Sequence, residues 1–141
     1  MTKSELKVFS GTSHPELAAE ICSYLKRPLG KASIFKFSND NTFVNINENV
    51  RDVDVFIVQT SCVPVNDGLM ELLILIDACR RASAGRITAV MPNYPYARSD
   101  KKDQPRVPIT ARLTSELLTV AGADRIIAID LHAPQIQGFF S

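Results

Sequence analysis

Asp54-Val-Phe-Ile-Val-Gln59 and Arg86-Ile-Thr-Ala-Val-Met91 are two short apolar runs rich in β-forming residues. Runs of this kind predict strands buried on both faces. Between them a helix is expected from Asp67 to about Ala84, capped by Asn66, with Arg80 and Arg81 in its last turns and Gly85 at its end. Strand, helix, strand in that order predicts a parallel pair, because parallel neighbours need a crossover.

The same pattern extends outward on both sides. Leu6-Lys-Val-Phe9 reads as a strand that ends in Ser10-Gly-Thr-Ser13. A helix should follow: Ser13 and Glu16 have capping-box spacing, Pro15 sits in the first turn, and Leu17, Ile21 and Leu25 are four apart. Ala32 to Phe37 and Thr42 to Ile46 flank a Ser-Asn-Asp-Asn turn and predict a hairpin. Pro92 to Arg106 is a polar loop. Pro108 opens a helix that runs to Val120 and stops at Gly122, and Asp124 to Ile129 is the last strand. The predicted order, β-α-β-β-β-α-β-loop-α-β, makes an α/β layered domain with a largely parallel sheet.

The 141 residues suit one domain with a real core. Sixteen Lys and Arg against fifteen Asp and Glu leave +1, which points to neither a nucleic-acid nor a membrane partner. The apolar stretch Leu69 to Ile76 is interrupted by Glu71 and is too short to span a bilayer. Met1-Thr-Lys-Ser-Glu-Leu-Lys7 has no apolar leader, and Cys22, Cys62 and Cys79 show no CxxC spacing. These features predict free thiols in a reducing cytoplasm.

Ligands of parallel sheets bind at the carboxyl ends of the strands. Three segments there or nearby could carry chemistry. Asn93 to Arg106 holds, between Arg98 and Arg106, four cations and two anions. Arg offers a planar fork for phosphate oxygens and Lys a mobile charge, so the loop could clamp a polyphosphate. A solvated surface loop is the simpler alternative. Asp130-Leu-His132 places two ionisable side chains on one side of a strand end, where a carboxylate could hold Mg²⁺ through water. A polar strand terminus would look the same. Phe37-Ser-Asn39-Asp-Asn41 could stack on a purine and read its edge, or could simply be a turn. There is no GxxxxGK[ST] loop, no GxGxxG after the first strand and no nucleophile elbow.

Read together, seven segments resemble the ribose-phosphate pyrophosphokinase (phosphoribosyl-pyrophosphate synthetase) family. They are Phe9-Ser-Gly-Thr-Ser, Lys36-Phe-Ser-Asn, Glu48-Asn-Val-Arg, Val65-Asn-Asp-Gly-Leu-Met-Glu-Leu-Leu, Arg81 to Val90, Pro95 to Asp103 and Asp130 to Phe140, in the family's order. The resemblance implies a three-layer, phosphoribosyltransferase-like domain. It also implies transfer of the β,γ-diphosphoryl group of ATP to the 1-hydroxyl of ribose 5-phosphate, with Mg²⁺ as cofactor. On that resemblance Phe37 and Asn39 hold adenine, and Arg98 and Lys101 contact the ATP phosphates. Asp103 and Arg106 belong to the same ATP-side loop, and Asp130 and His132 organise Mg²⁺ and the triphosphate. Arg51, Ser83 and Gln137 fall in segments that resemble a regulatory site for phosphate or ADP, and the family assembles as hexamers.

Two positions depart from the family's pattern. Asn41 stands where a carboxylate is usual, which removes charge assistance to the adenine amino group. Ser99 stands where Gln is usual and reaches less far. The family also has two similar domains, so residues 1–141 are expected to be the N-terminal, ATP-binding domain, inactive alone, with the ribose-phosphate site in the other half. Two other functions remain open on the sequence: a non-catalytic nucleotide-binding relative that regulates active subunits, and a nucleic-acid binder, which the near-zero charge disfavours.

Overall fold

The apolar runs after Asp54 and Arg86 are both strands, and they pair in parallel. The computed structural model describes residues 5–131 and 134–140. The elements are β1 (Leu6–Ser10), α1 (Pro15–Leu25), β2 (Ala32–Lys36), β3 (Thr42–Ile46), β4 (Asp54–Val58), α2 (Val65–Arg81), β5 (Arg86–Val90), α3 (Thr110–Ala121) and β6 (Arg125–Ile127), followed by a 3-10 segment, Pro134–Phe139. This is the predicted order. β1, β4, β5 and β6 form one parallel sheet in the order β1-β4-β5-β6, with Leu6 opposite Asp54, Asp54 opposite Arg86 and Thr88 opposite Arg125. β2 and β3 form a separate antiparallel pair in which Lys36 faces Thr42.

Strand alternation divides the core between the two faces of the sheet. Phe9, Val55, Ile57, Ile87 and Ala89 point to one side, where Leu72, Leu75, Ile76 and Cys79 of α2 and Ala111 and Leu118 of α3 cover them. Ile34, Val44 and Ile46 of the hairpin pack on the same cluster. Val8 and Val58 point to the other side, against Ala18 and Cys22 of α1. Helices on both faces of a parallel sheet make the three layers expected.

Four sequence expectations need correction at element ends. The cap of α1 is His14, whose ring nitrogen accepts from Leu17 N, because Ser13 is drawn away to Gln59 and Thr60. Its buried side is formed by Ala18 and Cys22, with the expected Leu17 and Ile21 partly buried against the same cluster, while Leu25 is exposed. α2 begins at Val65 without a side-chain cap, since the Asn66 side chain is engaged with Tyr96. It ends at Arg81, and Ser83, at φ 65°, takes the left-handed position expected of Gly85. Gly85 answers a different need: a Cβ there would lie 3.0 Å from the Asp52 carbonyl.

The C-terminal elements are shorter than their apolar runs suggest. α3 begins at Thr110 and stops, as expected, at Gly122, whose φ of 123° favours glycine. β6 ends at Ile127 because the backbone N–H groups of Ile129 and Asp130 both turn to the Pro92 carbonyl.

Candidate functional site

The polar loop starts where β5 ends, and its first residues are joined to both neighbouring strand ends. Ser61 N donates to Asn93 O (3.2 Å), and Asn93 Nδ2 donates back to Ser61 O (3.4 Å). On the other flank Asn93 bridges to Asp130, whose N donates to Pro92 O (3.0 Å). The structure therefore brings Asp130 beside the start of the loop, three residues beyond the end of β6. His132 lies outside the described residues, and so does its placement relative to Asp130.

Two anchors fix the loop on α3. The Tyr94 ring is buried with its edge toward Phe140 (centroids 5.8 Å), and its hydroxyl donates to Ala111 O (3.0 Å). Burial pushes the Tyr94 hydroxyl above its ordinary pKa, so it stays a donor into the alkaline range. Ala111 N in turn donates to Ser99 O (3.0 Å), so a loop carbonyl caps a helix that has no side-chain cap. Between these anchors Ser99 N donates to Tyr96 O (2.9 Å), closing a turn that leaves Arg98 exposed. Asp100 is buried, while Lys101, Lys102, Asp103 and Arg106 face solvent. The loop is thus rooted at Tyr94 and Ser99 and offers its cations outward.

The hairpin residues form a second group. Phe37 packs edge-on against Phe35 (5.4 Å) and Phe43 (5.6 Å) and is half exposed. Asn39 Oδ1 accepts from Asn41 N (3.2 Å), and Phe37 N donates to Asn41 O (2.8 Å). Asn39 therefore shapes the turn, which is the local alternative the sequence left open. These contacts of Phe37, Asn39 and Asn41 stay within the hairpin. What links the two groups is the first turn of α2: Asp67 pairs with Lys36, and Asn66 accepts from the Tyr96 hydroxyl.

Arg51 and Ser83 are brought together before β4 and β5. Arg51 bridges to Ala84, and Asp52 N donates to Ser83 O (2.9 Å). Gln137 lies in the 3-10 segment, which meets α3 through Phe139 O and Ser115 Oγ.

The strand ends also hold a cluster that the motif reading missed. Glu71 and Gln59 are 7% and 2% exposed, and they bind the loop after β1. Glu71 accepts from Thr12 N (2.7 Å), Thr12 Oγ1 (2.8 Å) and Gln59 Nε2 (2.6 Å). Gln59 Oε1 accepts from Ser13 N (3.1 Å) and Ser13 Oγ (2.7 Å). Glu71 lines, with Thr12, Ser13, Lys36 and Asp67, a cleft of about 260 Å³. One sequence signal could have found it. Glu71 is a carboxylate on the face of α2 that otherwise carries Leu72, Leu75, Ile76 and Cys79.

A family model described as the N-terminal domain of ribose phosphate pyrophosphokinase matches residues 6–122. The chain belongs to the ribose-phosphate pyrophosphokinase family. It is 61% identical to ribose-phosphate pyrophosphokinase of Clostridium perfringens over 136 residues, 96% of this chain and 43% of that protein. It is 56% identical to ribose-phosphate pyrophosphokinase 2 of Schizosaccharomyces pombe, covering all of this chain and 44% of the relative. The crystal structure of phosphoribosylpyrophosphate synthetase from Mycobacterium smegmatis superposes with a TM-score of 0.96 at 49% identity, over 98% of this chain and 46% of that one. The chain thus spans less than half the length of these ribose-phosphate pyrophosphokinases.

Proposed function

We propose that this chain is the ATP-binding half of a ribose-phosphate diphosphokinase, which moves the β,γ-diphosphoryl group of ATP to the 1-hydroxyl of ribose 5-phosphate and releases AMP. The observation that carries the reading is the junction at Asn93, where the cationic loop and Asp130 meet at the carboxyl edge of a parallel sheet. Arg98 and Lys101 bind the triphosphate oxygens, with Ser99, Asp103 and Arg106 completing that side. Phe37 stacks on adenine, with Asn39 and Asn41 near the base edge. Diphosphoryl transfer needs positioning and charge neutralisation rather than a covalent protein intermediate, and a rooted loop with outward cations supplies both. The attacking oxygen belongs to the sugar, whose site is assigned to the part of the relatives that this chain does not cover.

Mg²⁺ is the proposed cofactor. Among the described residues no group of three or more His, Cys, Asp or Glu side chains could hold a metal. Mg²⁺ needs few protein ligands, because substrate phosphates and water fill most of its shell beside one or two carboxylates, and Asp130 together with His132 is given that role. The ion would neutralise phosphate charge. We further assign the protein to the cytoplasm and to a homo-oligomer, with Arg51, Ser83 and Gln137 contributing to a phosphate or ADP regulatory site. Among the described residues no helix is long and apolar enough to cross a membrane.

Titration calorimetry with ATP and Mg²⁺ tests the nucleotide site directly. The chain should bind ATP·Mg²⁺ weakly, Arg98→Ala should abolish the heat, and Asn41→Glu should strengthen it. Equal heats for the chain and Arg98→Ala would exclude the clamp.

A further inference from the structure

The hydrogen bonds at the carboxyl edge converge on Glu71. Its burial is costly for a carboxylate, and an apolar residue would suit the face it occupies, next to Leu72 and Leu75. Its three donors explain its presence: Thr12 N, Thr12 Oγ1 and Gln59 Nε2. A carboxylate only accepts, so it forces the Gln59 amide to present its NH₂ to Glu71 and Gly68 O, and its oxygen to Ser13. Ser13 Oγ then accepts from Thr60 N (3.0 Å). The segment 59–61 is gripped on this flank by Glu71 and Ser13, and its other flank is the one that holds Asn93 through Ser61.

We propose that Glu71 is a positioning residue for the ATP-side loop, acting through Gln59, Ser13 and Ser61 to fix Asn93 and hence the placement of Arg98. The proposal rests on the reading of that loop as the ATP site. A Gln at position 71 can keep these contacts only as neutral bonds, with its oxygen accepting from Thr12 N and Gln59 Nε2 and its NH₂ donating to a Thr12 hydroxyl that must reverse its role, so the carboxylate's charge assistance is lost. Its loss should therefore relax 59–61 and move the root of the loop without touching any cation.

The test compares the chain with Glu71→Gln, Thr12→Val and a control, Thr114→Val, which removes a buried hydroxyl bonded to Thr110 O in α3. Affinity for ATP·Mg²⁺ is measured by calorimetry below every melting point, alongside amide exchange of Ser61. Glu71→Gln should weaken ATP binding about five-fold and Thr12→Val about two-fold. Exchange at Ser61 N–H should quicken in both. Thr114→Val should lower Tm while leaving affinity and Ser61 exchange unchanged. Unchanged affinity and exchange in Glu71→Gln would overturn the proposal, as would an equal affinity loss in Thr114→Val at the same loss of Tm. If Glu71→Gln does not fold, Thr12→Val decides, because Thr12 is an exposed loop residue. If the unaltered chain binds no ATP, the ATP reading fails, and Ser61 exchange alone then supports or overturns the coupling from Glu71 to Asn93.

Discussion

Lys36 Nζ lies 3.0 Å from Asp67 Oδ2, so the end of β2 is tied to the first turn of α2. A second carboxylate, Asp40, lies 3.1 Å from the same ammonium. The Asp67 hydrogen bond, followed by that of Asp40, holds the Lys36 ammonium above the usual lysine pKa. The tip of the hairpin, with Phe37 and Asn39, is therefore fixed to the helix whose second residue, Asn66, meets Tyr96 of the cationic loop.

Lys36→Met should leave the fold intact, because these pairs are exposed and screened by solvent. It should loosen only the tip. NMR relaxation of the amides from Phe37 to Asn41 should show added motion, with β3 unaffected. A rigid tip in the variant would mean that the turn's own bonds, Phe37 N to Asn41 O and Asn41 N to Asn39 Oδ1, suffice.

Gly11→Ala should be strongly destabilising for reasons of space. The added Cβ would lie 2.1 Å from Gln59 Oε1 and 2.4 Å from Gln59 Cδ. Gln59 cannot swing away without abandoning Ser13, Gly68 and Glu71. Overpacking of this kind costs about 1–3 kcal/mol, a fall in Tm of roughly 3–9 °C for a domain this size. A Tm within a degree or so of the unaltered chain would show that the Gln59 network is softer than its geometry.

The fold was legible because its signals are local. Val55 to Val58 is apolar throughout, and so short a run, rich in β-branched residues and bounded by the polar Asp54 and Gln59, favours a strand buried between layers. Gly122 marked a helix end because its φ of 123° is a backbone requirement that shows in the residue itself. Ser13 misled for the opposite reason. Its spacing to Glu16 favours a cap, but Gln59 and Thr60, 46 and 47 positions away, offer its hydroxyl better partners. Glu71 was hidden by the same kind of long-range pairing, since its donors on Thr12 lie 59 positions away. The loop Asn93 to Arg106 stood out by charge, whereas its anchors, the Tyr94 hydroxyl and the Ser99 carbonyl, carry no compositional signature.

Tyr94→Phe isolates one of those anchors. The variant keeps the ring against Phe140 and removes only the hydroxyl that donates to Ala111 O. Losing a buried neutral hydrogen bond should cost about 1 kcal/mol and lower Tm by about 3 °C. ATP affinity should fall as well, since the loop loses one of its two ties to α3. A fully stable variant would leave Ser99 O to Ala111 N as the anchor that matters.

Alkaline pH should destabilise the chain through Cys79. Burial pushes this thiol from an ordinary value of 9.0 up to about 12. Between those values the unfolded chain loses the thiol proton while the native chain keeps it. The native state then binds more protons, so stability falls as pH rises, by up to about 1.4 kcal/mol per pH unit for one such group. Below the unfolded value the contribution is fully present, and Tyr94, also raised by burial, adds to the loss at higher pH. Cys79→Ala should lower Tm at pH ~8 because it opens a cavity beside Leu75 and Ile76, yet its decline between pH ~8 and ~10.5 should be shallower. Parallel Tm profiles for the two proteins would place the alkaline sensitivity in Tyr94 or elsewhere. Reaction with a thiol reagent at neutral pH supplies the matching readout: Cys62, which is exposed, should react at once, while Cys22 and Cys79 should react only as the chain unfolds.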